Sequence, residues 1–527
     1  MSHPVHESRV CCGPVGPFGE LSRRRFLGGL AGGALAGAVQ AKVSSVPAAS
    51  AGETVAGQPL PVGAPLRVQP VLMVQLNQPV EKASWRSYGG IETLAAVDRE
   101  VQRIEAELKQ LAAEAEFPAN VLPLLKLSDP EQAQRVAGTD ADVIVLFAAS
   151  GRTEWVDTLV QAKTPLLMFL RHRSGPFYLW YEIVHWRFLR QNGDRMCVPN
   201  VDVGDIVVDD LSALLWRLRA LYGLKNAKGT TMLAIGGLTA YSELAQENGP
   251  RCAQETWGYR LESISEEEFA RRLAKARTDA DLVQRAERST EELLSQPAVT
   301  LQTDRKFVVN SFVALEVCKQ LLRETGATNF GFARCMGRPV IEMLDTPPCL
   351  ILSLANDEGY TAYCHTDLSH TLPGVLLRWI AGRPTFVCNS HFPHDGIMTV
   401  AHCAAPRKMN GKNYEPATIM THFESDYGAA CKVQYTKGQT VTVVIPNLRC
   451  TKWQAFRGSI LESPSYPACR SQIEISIDGN WQKLLAEMEG FHTQVVYGDY
   501  LREVGYALKK LGGIEWQSFS ETARPTA

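Results

Sequence analysis

Several features that would assign a function at once are missing from this sequence. It contains no Cys-x-x-Cys pair, which argues against a cysteine-rich zinc site. No Gly-x-Gly-x-x-Gly motif opens its globular part, which argues against a Rossmann-type oxidoreductase. No run beyond the N-terminal segment approaches the roughly 18 apolar residues of a membrane span. The net charge is only −2, so neither nucleic acid nor an anionic membrane is an expected partner.

The composition is that of a globular protein with more than one domain. The chain has 527 residues, of which 45% are hydrophobic and 21% charged. Its 13 cysteines are spread along the chain and lack the spacing of a small disulfide scaffold. Cys364 and Cys403 lie in apolar, strand-like segments. We therefore interpret most cysteines as buried small hydrophobes, while a few disulfides remain possible.

The N-terminal segment has the features of an export signal. Arg23 and Arg24 follow Ser22 and precede a weakly apolar, glycine-rich run that is too short for a membrane helix. This arrangement matches a twin-arginine signal, and we assign residues 1–51 to it. The alternative is a basic amphipathic tail. Because the twin-arginine route exports folded proteins, we expect a periplasmic or otherwise extracytoplasmic protein that is loaded with a metal before export.

The rest of the chain divides by pattern. Residues 52–67 are small and proline-rich, as in a linker. Apolar strand-like runs then alternate with amphipathic helices, which predicts two Rossmann-like α/β units over 68–170 and 171–345. Residues 346–520 alternate apolar and polar positions and predict an α+β domain rich in antiparallel strands. The fold class is therefore α/β followed by α+β.

Histidines concentrate in the last of these parts. Seven of the 11 histidines lie between His365 and His492. The segment 349–367, CLILSLANDEGYTAYCHTD, predicts an apolar strand that ends at Asn356 and Glu358, and a return run that ends at His365 and Asp367. Polar groups at strand ends lie at the sheet edge where open α/β sheets bind ligands.

Two further strand ends carry polar side chains. One predicted strand ends at Asn389, another ends at His402, and His492 precedes a VVY strand. Carboxylates and neutral imidazoles together suit Mn²⁺ or a similar divalent cation. Taken singly, a histidine at a strand end is more often a hydrogen-bonded structural residue. Several such groups beside apolar strands would be costly to desolvate without a shared purpose, which favours a metal site.

Four motifs carry a family resemblance, and they occur in order over the C-terminal third. The chain resembles the L-fucose isomerase/L-arabinose isomerase superfamily, and its shorter fucose-isomerase-like members above all. The family's activity is aldose–ketose isomerisation with Mn²⁺ or a related ion, at sites between the subunits of an oligomer. The resemblance therefore implies a monosaccharide substrate and a homo-oligomer. The motifs are PCLILSLANDEGYTAYCHTD, TVAHCAAPRKMNG, THFESDYGAACKVQ and GFHTQVVYGDY.

The resemblance also implies a ligand set. His492 matches the distant histidine ligand, and His402 matches the histidine that arabinose isomerases place at their metal. His365 and Asn389 stand at the two positions where the family carries metal-binding acids. His365, Asn389 and His492 are therefore the expected metal residues, and neither family carboxylate is present.

The implied reaction passes through a metal-bound enediol, and it requires a base at C2 of the sugar. Glu358, Asp367 and neutral His365 are the alternatives for that base. Arg407 is a candidate for holding sugar hydroxyls. Asn356 is a further candidate ligand, although a turn residue is the simpler reading. The alternative function is an exported sugar-binding or sensing protein of the same fold that has lost turnover. A third possibility is an interaction protein that uses the aromatic segment 174–190.

Overall fold

The N-terminal α/β unit is built on a parallel sheet. The computed structural model describes residues 55–56 and 60–521, so the predicted signal at 1–51 lies outside the described residues. The sheet has the order β3-β2-β5-β6-β7, with β4 also paired to β2. All six residues of β5 are buried, as expected for a parallel strand covered on both faces. The elements are β1 (Val55–Ala56), β2 (Leu66–Met73), α1 (Leu94–Glu114), β3 (Ala119–Val121), β4 (Leu125–Leu127), α2 (Pro130–Ala137), β5 (Val143–Ala148), α3 (Thr153–Gln161), β6 (Leu166–Leu170), α4 (Leu179–Ile183), β7 (Ile206–Val208) and α5 (Leu211–Ala227).

A second parallel sheet follows, with the order β12-β11-β8-β9. Two charged helices, α7 and α8, follow β9, and the Ser265 side chain caps the first of them by accepting a hydrogen bond from the Glu268 amide. The elements are β8 (Thr231–Ile235), α6 (Glu243–Glu255), β9 (Arg260–Ile264), α7 (Glu266–Thr278), α8 (Ala280–Leu294), β10 (Val299–Gln302), α9 (Arg305–Thr325), β11 (Asn329–Phe332), α10 (Arg338–Leu344), α11 (Cys349–Asp357), β12 (Thr361–Cys364) and α12 (Leu368–Ala381).

The C-terminal part is an antiparallel barrel of six strands in the order β18-β21-β13-β14-β20-β19, closed by the pairing of β18 with β19. Strand β22 adds to β19 in parallel, β16 pairs with β10 and β17, and β15 pairs with β1. The elements are β13 (Phe386–Ser390), β14 (Ile397–His402), β15 (Asn413–Tyr414), β16 (Ala417–Met420), β17 (Ala430–Val433), β18 (Thr440–Pro446), β19 (Lys452–Glu462), β20 (Ser471–Asp478), α13 (Trp481–Glu487), β21 (His492–Tyr497), α14 (Leu501–Leu511) and β22 (Glu515–Ser518).

The sheets divide the chain at other points than the predicted domain boundaries at 170/171 and 345/346. Strand β7 pairs with β6, so the first sheet continues to Val208 and the Gly175–Pro176 break lies inside it. Strand β12 pairs with β11, so the second sheet continues to Cys364. Strand β2 begins at Leu66, within the predicted linker 52–67. The mixed α/β class with an antiparallel C-terminal part is confirmed at this coarser level.

One predicted strand is wrong. The run CLILSLAN forms helix α11, not a strand, and eight of the nine residues of this helix are buried. A helix buried on nearly all sides carries apolar residues all round, so its sequence lacks the periodicity that distinguishes a helix from a buried strand. As a result, Asn356 and Glu358 lie at the end of a helix and not at a sheet edge.

Within residues 60–521, every helix is too short or too polar to cross a lipid bilayer.

Candidate functional site

Four of the predicted site residues meet at one end of the barrel. Asn389 near the end of β13 pairs in register with His492, the first residue of β21, and with Ala401 of β14. His402 ends β14, and His365 directly follows β12 of the neighbouring sheet. His365, Asn389, His402 and His492 all line one cavity. The fold therefore brings together four side chains that are remote in sequence.

The cavity is small and rich in sulfur. Its volume of about 20 Å³ is enough for one water molecule or an ion. Five of its eleven lining residues carry sulfur, and one carries a carboxylate. The residues that complete the lining are Met336, Cys349, Cys364, Cys403, His422, Glu424 and Cys469.

Asp367, His370 and His492 form a buried group of metal-binding type beside this cavity. One potential ligand atom from each lies within 4.8 Å of the others, and each residue is at most 3% exposed. Asp367 caps α12 through its Oδ1, which accepts a hydrogen bond from the Ser369 amide. His370 follows one turn later on the same helix, which brings its imidazole back to the carboxylate.

The tautomer of His370 leaves a lone pair directed at this group. Its Nε2 lies 3.1 Å from the Cys364 carbonyl oxygen, to which only an N–H can donate, so the neutral ring carries its proton on Nε2. Nδ1 has no hydrogen-bond partner among the described residues and lies 3.9 Å from Asp367 Oδ2. Metal-binding histidines are commonly oriented by such a bond to a backbone carbonyl. Two imidazoles and a carboxylate fit Mn²⁺ or another first-row divalent cation.

His402 has the same tautomer as His370, but its other ring nitrogen makes the backbone hydrogen bond. Its Nδ1 accepts a hydrogen bond from the Ala404 amide, so Nε2 of the neutral ring bears the proton. His402 therefore presents a hydrogen-bond donor and not a ligand lone pair. Burial lowers its pKa to about 3 and lowers the pKa of His492 well below its usual value, so both rings are neutral near pH 7.

His365 belongs to a second group of potential ligands, with Cys335 and Cys364. Potential ligand atoms of the three lie within 4.8 Å of one another. A hydrogen bond with Cys364 lowers the pKa of the Cys335 thiol to about 6. Gly331 in β11 permits this approach, because a Cβ there would lie 2.3 Å from the His365 carbonyl oxygen.

Besides Asp367, three of the predicted site residues lie outside the histidine cavity. Glu358 forms an ion pair with Lys319 of α9, and Glu358 and Arg407 line a separate cavity of about 420 Å³. The Arg407 amide donates to the buried carboxylate of Asp357, whose pKa burial raises to about 7. Asn356 ties α11 to β12 through hydrogen bonds with both backbone groups of Ala362. The side chains of Glu358 and Asn356 are thus engaged in structural contacts, and Arg407 Nε donates to the Glu415 carbonyl oxygen.

Sequence reasoning missed three residues of the site. His370 is three residues after Asp367, and that spacing at a helix start was the available signal for it. Glu424 lies in the THFESDYG motif, which carried the family resemblance without a residue assignment. Cys335 has no local signal, because it meets Cys364 only through the pairing of β11 with β12.

The buried histidines predict a loss of stability in acid. A group whose pKa is lower in the folded state binds more protons when unfolded, so stability falls as pH drops below about 6.5. For His402, the loss of unfolding free energy between about pH 7 and about pH 5 amounts to about 2 kcal/mol. In urea unfolding, the free energy of unfolding of His402→Gln should therefore fall by about 2 kcal/mol less over this pH range than that of the unaltered protein. His394→Gln, at a side chain that is 62% exposed, should leave the pH dependence unchanged. Equal slopes in all three proteins would contradict the assignment.

Comparisons with known proteins do not assign a family. No family model matches the chain, and no curated protein matches it. One similar solved structure is a carbohydrate transporter from Acidothermus cellulolyticus 11B in complex with myo-inositol. It is 12% identical, and the match covers 60% of this chain and 88% of that chain with a TM-score of 0.14. A similarity at that score carries no argument about fold or function.

Proposed function

We propose that this chain is a metal-dependent aldose–ketose isomerase, similar to the L-fucose isomerase/L-arabinose isomerase superfamily, with two Rossmann-like units before its barrel. One observation carries the proposal: side chains remote in sequence, His365, Asn389, His402 and His492, line a single cavity. They come from strands of two different sheets, so their convergence is a property of the tertiary fold.

Asp367, His370 and His492 are the residues that we propose to hold Mn²⁺ or another divalent cation. The negative charge of Asp367 offsets part of the ion's charge in a buried place, where an uncompensated charge would be costly. This differs from the set His365, Asn389 and His492 that the family resemblance implies, because that set contains no anion. A divalent ion in such a site supplies Lewis acidity, which lowers the pKa of the hydroxyl beside the sugar carbonyl.

Glu424 is the residue that we propose as the base. Among the described residues that line the cavity, it alone carries a carboxylate, and its side chain is 34% exposed. In the proposed reaction it removes the proton from C2 of the open-chain aldose, and the carbonyl oxygen O1 takes up the proton that the O2 hydroxyl gives up. The enediol form then receives the proton back from Glu424 at C1, which leaves a hydroxyl at C1 and a carbonyl at C2. His402 Nε2–H donates a hydrogen bond to a substrate oxygen. The earlier alternatives are otherwise engaged: Glu358 pairs with Lys319, and Asp367 caps α12.

The size of the cavity determines where a sugar would bind. The volume of about 20 Å³ accommodates one oxygen atom or an ion, so most of a monosaccharide would lie at the cavity mouth. We propose that a second copy of this chain in a homo-oligomer completes that mouth.

The cellular location is also part of the proposal. Export of the folded, metal-loaded protein by the twin-arginine route to an extracytoplasmic compartment would account for the N-terminal sequence.

Proton exchange at carbon tests the isomerase directly. The full chain is loaded in turn with Mn²⁺, Co²⁺ and Zn²⁺ and incubated in D₂O with a panel of aldoses. We expect deuterium at C1 or C2 of at least one sugar, detected by NMR, and only in samples that contain an ion. Exchange is a sharper readout than ketose yield, because it detects the proton transfer even when equilibrium disfavours product. Ion-loaded protein that exchanges no proton with any sugar would contradict the proposal.

A second candidate function is sugar binding without turnover. It is favoured by His365 and Asn389, which replace acids at both matched positions of the family. Nothing among the described residues donates a hydrogen bond to Asn389 Oδ1, so this oxygen is available to a sugar hydroxyl. Calorimetry on the same samples separates the two functions: heat of binding with no deuterium incorporation supports the binding protein, whereas incorporation supports the isomerase.

A further inference from the structure

Two buried thiols meet at the ends of adjacent strands beside the histidine cavity. Phe332 of β11 and Cys364 of β12 are register partners, and Cys335 follows three residues after Phe332. The Sγ atoms of Cys335 and Cys364 are 2.7 Å apart, and neither cysteine is in a disulfide. The imidazole of His365 joins them, with the three potential ligand atoms within 4.8 Å of one another.

The donor chemistry of this group differs from that of the Asp367 group. Two sulfurs and an imidazole suit Zn²⁺ or Cu⁺, whereas Mn²⁺ prefers oxygen ligands. The surroundings are also soft, because Met336 and Cys349 line the same cavity. Three protein ligands with room for one water are the arrangement of an open zinc site.

Charge balance favours the same conclusion. Each thiol that binds Zn²⁺ gives up its proton to solvent, so two thiolates and a neutral imidazole cancel the charge of the ion. A buried site of zero net charge avoids the cost of an unpaired buried charge. Tetrahedral coordination at about 2.3 Å from each sulfur separates the sulfurs by about 3.8 Å. A modest side-chain rotation at Cys335 and Cys364 therefore opens the present spacing to that of a bound ion.

We propose that Cys335, Cys364 and His365 bind a thiophilic ion, Zn²⁺ or Cu⁺, at a site separate from the Asp367–His370–His492 group. This site does not depend on the isomerase activity, since its occupant is detected by its bonds to sulfur. The alternative to a bound ion is a disulfide between Cys335 and Cys364, which would form only with an external two-electron oxidant.

Cobalt absorption tests the proposal. The full chain, purified with a reductant and freed of metal, is titrated anaerobically with Co²⁺. We expect a thiolate-to-cobalt charge-transfer band that Zn²⁺ or Cu⁺ displaces and Mn²⁺ does not. Cys335→Ser and Cys364→Ser should each abolish the band, and zinc affinity should fall by more than the about 10- to 100-fold typical of losing a ligand-orienting group. Cys318→Ser, at another fully buried thiol, is the matched control and should keep the band.

Labelling of the unmodified chain keeps the test decisive if the serine variants fail to fold. Zn²⁺ should slow maleimide labelling of Cys335 and Cys364, measured by peptide mass spectrometry, and leave the exposed Cys197 unaffected. Three results would overturn the proposal: no charge-transfer band, a band that survives in both serine variants, or a Cys335–Cys364 disulfide that persists in the reduced, zinc-treated protein.

Discussion

Arg171→Ala is expected to lower the free energy of unfolding by about 3–5 kcal/mol, because it leaves a buried carboxylate without its counter-charge. Arg171 follows β6 and is 1% exposed. Its Nε donates to Glu100 Oε1 at 2.6 Å, and its Nη2 donates to Glu107 Oε2 at 2.7 Å. Glu100 is 3% exposed, so water cannot replace the guanidinium. Urea unfolding followed by circular dichroism measures the loss.

A surface ion pair in the same sheet provides the control. Arg67 pairs with Asp140, with side chains that are 38% and 93% exposed, and Arg67→Ala should cost less than about 1 kcal/mol. The double variant Arg171→Met/Glu100→Met removes both buried charges and should recover part of the stability. An Arg171→Ala loss no larger than that of Arg67→Ala would show that the substitution does not leave an unpaired buried charge at Glu100.

The same ion pair shows why the first sheet could not be followed past residue 170 from the sequence. The proline-glycine break after Arg171 is a reasonable local signal for a linker, and the sequence pattern changes there. Arg171, however, reaches back to Glu100 and Glu107 of α1, and Tyr178 donates to the same Glu100 carboxylate. These are contacts over 64 to 78 residues of sequence, and no local pattern encodes them. Strand β7, only three residues long, then completes the sheet with too weak a sequence signal to extend the domain.

Elements with a clear period or a flanking turn could be predicted from sequence. The apolar runs of β5, β6 and β8 and the helix α1 lie where their patterns indicate. Helix α11 could not be distinguished from a strand, because eight of its nine residues are buried and its apolar residues lack a helical period. Because this helix was predicted as a strand, Glu358 was expected at the edge of the sheet. In the structure Glu358 follows the helix and forms an ion pair with Lys319 of α9.

The sequence could predict those site residues that lie at the ends of strands. Asn389, His402 and His492 lie at the ends of barrel strands, and their neighbours in the sheet bring them together. The grouping of ligands was not predictable, because it depends on ring orientation. The bond from His370 Nε2–H to the Cys364 carbonyl leaves Nδ1 for the Asp367 carboxylate, 3.9 Å away. Gly331 leaves room for the His365 carbonyl oxygen, which a Cβ at residue 331 would meet at 2.3 Å.

Glu424→Gln is expected to reduce the rate of deuterium exchange into the sugar by about 10²- to 10⁴-fold, the usual contribution of a general base. Glutamine keeps the size and hydrogen bonding of the side chain but cannot accept the C2 proton. Because Glu424 is outside the Asp367–His370–His492 group, the content of bound ion should not change. The acidic limb of the pH–rate profile, which reports the base, should also disappear.

Glu462→Gln makes the same chemical change at the exposed end of β19 and should leave exchange, ion content and pH profile as they are. The pH profile separates the base from a residue that merely shapes the cavity, since a structural defect lowers the rate at every pH alike. A fall in ion content parallel to the fall in rate would identify Glu424 as a ligand. An unchanged rate would show that Glu424 is not the base. Asp367 would then be the candidate, and its carboxylate would have to break its hydrogen bond with the Ser369 amide of α12 at each turnover.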